Sequence, residues 1–195
     1  MMAFDVSRET TLSAYLRLLL KWSAKINLVG MIDEQDAWKR HIEDSLQLVP
    51  LVAPQERTIL DLGSGGGLPA VPMAICLPDH NITAVESDHR KSVFLQTTRR
   101  ELGLSNLTVL SQRSEDLAPQ DADLVTARGF APLPRLLEHA HRHLGPKGRA
   151  LLLKGKAVRE EVSDARQRWH FNFDLHPSAT APNGAILEIR ELRHA

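Results

Sequence analysis

Residues 58–72 read TILDLGSGGGLPAVP, a short apolar run that ends at Asp61 and leads into a cluster of glycines. These glycines are Gly63, Gly65, Gly66 and Gly67. Glycine suits a turn that reverses the chain within a few residues, and a ligand can lie against its main chain because it has no Cβ. Pro69 and Pro72 fall in the first turn of a following helix, where a missing N–H costs little. The stretch therefore predicts a strand, a tight turn and a helix whose first N–H groups face an anionic ligand group.

Two classes of ligand bind over such a turn, and the spacing of the glycines separates them. Read from Gly63, the dinucleotide pattern G-x-G-x-x-G fails because its sixth position is Leu68. Read from Gly65, it is met only in the looser form that ends in alanine, here Ala70. The pattern acid-x-G-x-G-x-G is met in full over 61–67 and resembles motif I of the S-adenosylmethionine (AdoMet) methyltransferases. The turn therefore favours AdoMet, with a nicotinamide cofactor and a ligand-free turn as alternatives.

Length and composition predict one soluble domain over residues 1–195. A chain of 195 residues is long enough for one well-buried core and too short for two of ordinary size. Lys+Arg and Asp+Glu both number 24, so no global charge attracts nucleic acid, and any such surface is a local patch. The first residues, MMAFDVSRET, lack the pattern of a secretory signal, and no run approaches a membrane-spanning length, which predicts a cytoplasmic protein. The single Cys76 excludes an intramolecular disulfide and a cysteine metal cluster.

The first 54 residues predict a helical cap ahead of an α/β core that spans 55–195. Apolar residues at three- and four-residue spacing predict an amphipathic helix over 7–25. A second helix is predicted over 33–49, capped by Asp33 and closed by Pro50. We expect the apolar faces of both helices to pack against the sheet.

The next two strands end in residues suited to an adenosine. Strand 81–85 leads to Glu86, and in both ligand classes the acid at the tip of the second strand accepts hydrogen bonds from the ribose hydroxyls. Strand 107–110 is followed by Ser114 and Glu115, in a loop that lies over the same crevice of a doubly wound sheet. An acid in this loop can accept a hydrogen bond from the adenine amino group.

The order of the remaining elements decides the fold class. They are predicted as helix 90–102, strand 123–126, helix 133–144, turn 145–148, strand 149–154, helix 157–168 and strands 171–176 and 185–192. Asn183 and Gly184 between the last two strands are typical of a hairpin. The sequence therefore predicts the class I AdoMet-methyltransferase fold, a mostly parallel Rossmann-like sheet with a C-terminal antiparallel hairpin. A doubly wound dehydrogenase does not usually end in such a hairpin.

Strand four is followed by residues that are consistent with an acceptor needing no general base. The chain reads TARG over 126–129, with neither the Asn/Asp-Pro-Pro-aromatic loop typical of amine methylation nor the cysteine needed for pyrimidine C5. Guanine N7 presents a lone pair and loses no proton, so placement and electrostatic control suffice. Arg128 lies at the carboxyl edge of the sheet, where ligands of open α/β sheets bind. The alternative for Arg128 is a surface ion pair with Asp123 or Glu115.

Three histidines, His139, His141 and His143, stand at alternating positions near one helix end. We expect this spacing to disperse them, and no carboxylate or cysteine completes a metal-binding set with them. No metal is predicted.

Several stretches together resemble one family, the bacterial 16S ribosomal RNA guanine-N7 methyltransferases once called glucose-inhibited division protein B. They are KWSAKINL at 21–28, RHIEDS at 40–45, DLGSGGGLP at 61–69, ARGFA at 127–131 and LKG at 153–155. The resemblance implies that Gly63, Leu68, Ser114 with Glu115, and Arg128 contact AdoMet, and that the target is a guanine in the 530 loop. The family often ends with Gly-Glu-Arg-His-Leu where this chain has NGAIL at 183–187, so no RNA contact is carried over to this tail.

The predicted enzyme is an AdoMet-dependent rRNA methyltransferase, a monomer that acts on 16S ribosomal RNA or a small-subunit precursor. The predicted cofactor residues are Asp61, Gly63, Gly65, Gly67, Leu68, Glu86, Ser114, Glu115 and Arg128, and Arg128 is also the predicted catalytic residue. The predicted RNA contacts are Lys39, Arg40, Arg90, Lys91, Lys154 and Lys156. The alternatives are a methyltransferase of a small molecule or protein, a nicotinamide-dependent reductase, and a non-enzymatic interaction module.

Overall fold

The computed structural model describes residues 6–30 and 33–195. Residues 1–5 and 31–32 lie outside these ranges. They belong to the predicted cap, and residues 1–5 are the first half of the stretch MMAFDVSRET. The strands are β1 (Thr58–Leu62), β2 (Asn81–Val85), β3 (Leu107–Leu110), β4 (Ala122–Arg128), β5 (Leu144–Lys154), β6 (Trp169–Pro177) and β7 (Ala185–His194). The α-helices are α1 (Val6–Ser23), α2 (Glu34–Ala37), α3 (Asp44–Leu46), α4 (Ala70–Cys76), α5 (His89–Glu101), α6 (Leu133–His143) and α7 (Val158–Ala165).

The strands form one seven-stranded sheet in the order β3-β2-β1-β4-β5-β7-β6. β1 pairs in parallel with both β2 and β4, whereas β7 runs antiparallel between β5 and β6. The order reverses direction at β1 and β4, so the crevice of the sheet opens between their carboxyl ends. The predicted fold class is confirmed.

Helices cover both faces of this sheet, which is why the parallel strands are almost wholly apolar. In β1, Ile59 packs on the face covered by α1, α4 and α5, and the next residue, Leu60, packs on the face covered by α6 and α7. This alternation follows from the two-residue period of a strand. None of the helices in ranges 6–30 and 33–195 is long and apolar enough to cross a bilayer.

The second cap helix differs from the regular helix predicted over 33–49. Asp33 caps its start as predicted, accepting a hydrogen bond from Asp36 N at 2.9 Å. The middle, Trp38–Glu43, is a π-helix, a widened turn that is often found at functional sites. Pro50 does not close the helix, because it lies inside a 3₁₀ turn, Val49–Leu51.

Two predicted turns also take a different form. Residues 145–148 lie within β5 and bulge out of the ladder, because Ala122 pairs with Leu144 whereas Leu124 pairs with Arg149. The final hairpin is present, but its strands part at Pro177 and Ala185, so 178–184 form a longer loop in place of a tight Asn-Gly turn.

Candidate active site

The glycine loop after β1 takes the conformation that its sequence requires. Gly63, Gly65 and Gly67 have φ values of 67°, 54° and 85°, in the left-handed region that favours glycine. A Cβ at Gly63 would lie 2.2 Å from the ring of Phe130, and one at Gly67 would lie 2.6 Å from Val71 Cγ2. Gly63 therefore lies at the surface of the site, whereas Gly67 lets the loop pack on the helix behind it.

Glu86 lies against this loop at the end of β2. Its Oε2 accepts a hydrogen bond from Gly65 N at 2.8 Å, and its Oε1 accepts one from Asp88 N at 2.7 Å. Glu86 is only 7% exposed. Each carboxylate oxygen still has a second lone pair, so the group can accept ribose hydroxyls without losing these bonds.

The loop after β3 is held by two histidines of α6. Ser114 Oγ bonds to His139 Nδ1 at 2.8 Å, and Ser114 O accepts from His143 Nε2 at 2.9 Å. Burial lowers the pKa of both histidines, which favours their neutral forms. The expectation that the α6 histidines are dispersed is therefore wrong for this pair, because residues four apart lie on the same side of a helix. His141 points elsewhere, with its ring 5.3 Å from that of Trp169.

Gly63, Ser114, Glu115 and Phe130 line a groove of about 90 Å³ at the ends of β1 and β3, which we call the cofactor groove. Ligand pockets usually measure about 300–1,000 Å³, so this groove is narrow for a nucleoside. The Phe130 ring narrows it, packing over Gly63 and 5.1 Å from the ring of His139.

Three of the predicted cofactor residues support the loop from inside. Asp61 is fully buried: its Oδ1 accepts from Thr126 Oγ1 at 2.9 Å, and its Oδ2 is buried without a hydrogen-bond partner. Burial raises the pKa of Asp61 to about 7. Gly67 and Leu68 are also buried, with Leu68 in the core beneath the loop. The side chains of Asp61 and Leu68 do not line the cofactor groove.

Arg128, at the end of β4, is held by the π-helix of the cap. One guanidinium nitrogen, NH1, donates to Arg40 O at 2.9 Å and to Asp44 Oδ2 at 3.2 Å, and NH2 lies 3.2 Å from His41 Nδ1. Burial and the Arg128 charge lower the pKa of His41 to about 4, so its neutral ring can accept this bond. The alternative of a surface ion pair with Asp123 or Glu115 is therefore wrong, because Arg128 has other partners.

Neither alternative partner reaches Arg128. Asp123 accepts from Thr58 N at 2.9 Å at the opposite end of the sheet. Glu115 bonds with Ser114 at 3.2 Å in the loop after β3.

Two contributors to the site were not recognised in the sequence. Tyr15 lies within the helix predicted over 7–25, and its hydroxyl donates to Gly66 O at 2.5 Å and so holds the glycine loop. Asp44 was part of a family stretch without a role, and it proves to be the carboxylate that bonds Arg128. The sequence did carry one signal for the role of Tyr15, its hydroxyl, because a buried hydroxyl usually has a hydrogen-bond partner.

Residues 8–183 match the family described as rRNA small subunit methyltransferase G. The chain belongs to this family. A relative from Paracoccus denitrificans, named ribosomal RNA small subunit methyltransferase G, is 48% identical over 194 residues, covering 98% of this chain and 100% of the relative. A relative of the same name from Gluconobacter oxydans is 44% identical, covering 96% of this chain and 97% of its own length. The family and the enzyme class predicted from the sequence, an rRNA methyltransferase, are confirmed.

A solved structure supports the fold independently. A SAM-dependent methyltransferase from Aquifex aeolicus superposes with a TM-score of 0.60 at 13% identity, covering 97% of this chain and 99% of the other. At this identity the likeness concerns the fold alone, and it agrees with the class I sheet described above.

The basic residues of an rRNA methyltransferase need access to phosphates, and most of the predicted contacts have it. Lys39, Arg40, Arg90 and Lys156 are exposed. Lys154 is different, because its Nζ lies 2.6 Å from Glu161 Oε2 and its side chain is only 10% exposed. Within the part of the chain that the structure describes, no group of three or more His, Cys, Asp or Glu residues is placed to hold a metal ion.

Proposed function

We propose that this chain transfers the methyl group of AdoMet to N7 of a guanine in the 530 loop of 16S ribosomal RNA. The observation that supports it most is the position of Arg128, at the carboxyl end of β4 and beside the glycine loop that follows β1. The two ends flank the crevice where ligands of such sheets bind. Membership in the rRNA small subunit methyltransferase G family supports the RNA substrate.

The residues in and beside the cofactor groove fit AdoMet. Gly63 and Gly65 have no Cβ that would keep a ligand from their main chain. Glu86 has acceptor capacity for the ribose, and Glu115 lines the groove where it can accept from an adenine amino group. When bound, AdoMet supplies a methyl group activated by a positively charged sulfur.

The residues around β4 are arranged to orient an acceptor and hold charge, without a general base. The Thr126 hydroxyl already donates to Asp61 Oδ1 at 2.9 Å. His41 is neutral because burial and Arg128 lower its pKa. Arg128 offers a planar set of donors for a phosphate, a base edge or the methionine carboxylate. Guanine N7 loses no proton on attack, so these residues have only to align it and stabilise the charge around it.

The remaining parts of the proposal concern the molecule as a whole. We infer that residues 1–195 act as one methyltransferase domain, in which 1–54 form the cap and 55–195 the core. We further infer that the enzyme is a cytoplasmic monomer that binds RNA through exposed residues such as Lys39, Arg40 and Lys156. With several phosphates contacted, the logarithm of its affinity should fall by about 0.7–0.9 per contact for each tenfold rise in salt.

The test is mass spectrometry of nucleosides from small ribosomal subunits treated with the purified protein and isotopically labelled AdoMet. The subunits should come from cells that lack the endogenous enzyme, and large subunits serve as the control substrate. We expect label in N7-methylguanosine from small subunits alone. Label in a different nucleoside, or none in small-subunit RNA, would reject the proposed reaction.

A further inference from the structure

A second and much larger hollow opens on the other side of Arg128. It measures about 610 Å³ and lies where β4 and β5 end, bounded there by Arg128, Gly129 and Lys154. Phe130, which directly follows Gly129, lines the cofactor groove. Residues 128–130 therefore border both spaces, so a group in the hollow lies next to a cofactor in the groove.

The outer wall of this hollow is the loop 178–184 between β6 and β7. The loop is tied to the cap by four hydrogen bonds, of which the shortest run from Ala179 N to Gln47 Oε1 at 2.6 Å and from Thr180 Oγ1 to Asp44 Oδ1 at 2.7 Å. A loop anchored in this way presents a fixed surface. The part of the tail that departs from the family pattern thus begins in the wall of the hollow.

Asp44 joins this wall to the opposite one. Its Oδ1 accepts from Thr180, and its Oδ2 accepts from Arg128 NH1 at 3.2 Å. The Asp44 side chain is 18% exposed, so these bonds are largely shielded from water. One carboxylate with about four lone-pair sites therefore fixes both the loop and the guanidinium.

The lining of the hollow suits a guanine nucleotide. Its volume lies within the usual range of about 300–1,000 Å³ for a ligand pocket. Arg128 and the exposed Lys156 can pair with a phosphate, whereas Asp44 and Glu161 are carboxylates that can accept only from donors. The Watson–Crick edge of guanine presents such donors at N1 and the 2-amino group, and adenine has an acceptor at N1. Enzymes that modify a base in structured nucleic acid usually extrude it into a pocket of this kind.

We propose that this hollow is an acceptor pocket that receives one extruded guanine nucleotide, and that Asp44 is the positioning residue that holds its two walls together. The inference rests on the proposed function, because it supplies the place for the base that is methylated.

Filling the pocket tests its role directly. Ala181 lines the hollow, whereas Ser105, an exposed residue of the turn between α5 and β3, does not. Ala181→Trp should therefore lower kcat/KM on small subunits by at least about 100-fold, as expected when an acceptor is displaced. Ser105→Trp, the control for adding a bulky ring, should stay within about twofold of the parent. Calorimetry should find the affinity for S-adenosylhomocysteine unchanged in both variants.

The positioning role of Asp44 calls for a double-mutant cycle with Arg128. Asp44→Asn keeps the shape of the side chain and removes its charge, so it should slow single-turnover methyl transfer through Arg128. The double variant with Arg128→Ala should then be no slower than Arg128→Ala alone, whereas independent effects would multiply. Asp174→Asn is the control, since Asp174 is an exposed carboxylate that also pairs with an arginine, Arg190.

Two outcomes would overturn the inference while the proposed function stands: a parental rate for Ala181→Trp, or multiplying effects in the cycle. If the parent fails to methylate small subunits, the proposed function fails, and binding of guanosine monophosphate decides the pocket. The pocket then stands only if the parent and Ser105→Trp bind this probe and Ala181→Trp does not. Hydrogen exchange completes the test, because Asp44→Ala should speed exchange in loop 178–184 and unchanged exchange would remove Asp44 from its role.

Discussion

The two halves of the site are built from very different distances along the chain. In the cofactor groove, Gly65 bonds Glu86 across 21 residues, from one strand end to the next. In the acceptor pocket, Asp44 bonds Arg128 across 84 residues and Thr180 across 136. The first half follows from a local pattern of glycines and strand ends, whereas the second exists only after the cap and the hairpin have folded onto the sheet.

The largest effect is expected from Gly63→Val in the cofactor groove. Gly63 has φ of 67°, and its Cβ position is 2.2 Å from the Phe130 ring. Valine at this point meets either Phe130 or the ligand, so binding of S-adenosylhomocysteine should fall below detection by calorimetry.

The matched control for this change is Gly103→Val. Gly103 has a similar φ of 64°, but nothing lies within 4 Å of its Cβ position. Gly103→Val therefore introduces the same backbone strain and should lose thermal stability, but it should keep its affinity for S-adenosylhomocysteine. Equal loss of binding in the two variants would mean that strain alone, and no contact at Gly63, is responsible.

Arg128→Ala should give the next largest effect, on the acceptor half. Loss of a charge-assisted, planar set of donors should cost roughly 2–4 kcal/mol of transition-state stabilisation, or about 30- to 1,000-fold in single-turnover rate. Arg128→Lys should recover little of this rate, because lysine offers a point charge. The unfolding free energy should fall by only about 1–2 kcal/mol, since Asp44 keeps its bonds from Thr180 and Gln47.

Arg190→Ala is the control for loss of an arginine with carboxylate partners. Arg190 pairs with Asp174 and Glu188, and its side chain is 44% exposed. A surface pair contributes about 0–1 kcal/mol, so this variant should keep the parental rate. A folded Arg128→Ala protein that also keeps the parental rate would remove Arg128 from the site.

These contrasts show how far sequence patterns reach. The strand order was predictable because alternating strands and helices allow few topologies, and β2 and β3 have their predicted bounds. The π-helix at Trp38–Glu43 was not, because its widened turn comes with tertiary contacts such as the bond from Arg128 to Arg40 O. Likewise, no spacing in the sequence shows that loop 178–184 reaches Asp44, since that contact depends on where β7 enters the sheet.

The two halves should also respond to pH with opposite signs. Asp61, under the glycine loop, has its pKa raised by burial from 3.8 to about 7, so between these values the folded protein binds more protons than the unfolded chain. The stability that depends on this group therefore falls as pH rises from about 4 to 7. Urea unfolding should show the parent losing on the order of 2–4 kcal/mol relative to Asp61→Asn over this window.

His41, beside Arg128, supplies the opposite sign. Burial and Arg128 lower its pKa from 6.5 to about 4, so the folded protein binds fewer protons than the unfolded chain in this window. Relative to His41→Gln, the parent should lose stability as pH falls from about 6.5 to 4. The same sign for both variants would contradict the environments described for Asp61 and His41.

The smallest effect is expected where the cap contacts the cofactor half, at Tyr15. Its buried hydroxyl donates to Gly66 O at 2.5 Å, and burial raises the pKa of Tyr15, so the group remains a donor. Tyr15→Phe removes this one atom and leaves a buried carbonyl unpaired, which should cost about 1–3 kcal/mol of unfolding free energy. Packing still holds the loop, because Leu19 Cδ1 lies 2.9 Å from the point where a Cβ at Gly66 would be. Affinity for S-adenosylhomocysteine should therefore fall by only about two- to tenfold, or about 0.4–1.4 kcal/mol.

Thr10→Ala separates this role from simple loss of a hydroxyl on α1. Thr10 Oγ1 donates to Val6 O at 2.8 Å, a hydroxyl-to-carbonyl bond on the same helix that does not reach the glycine loop. This variant should lose a little stability and no affinity, because nothing it changes touches Gly66. If Tyr15→Phe likewise loses stability with unchanged affinity, the cap supports the fold alone. If only Tyr15→Phe weakens binding, then the cap acts on both halves of the site, through Tyr15 at the cofactor groove and through Asp44 at the acceptor pocket.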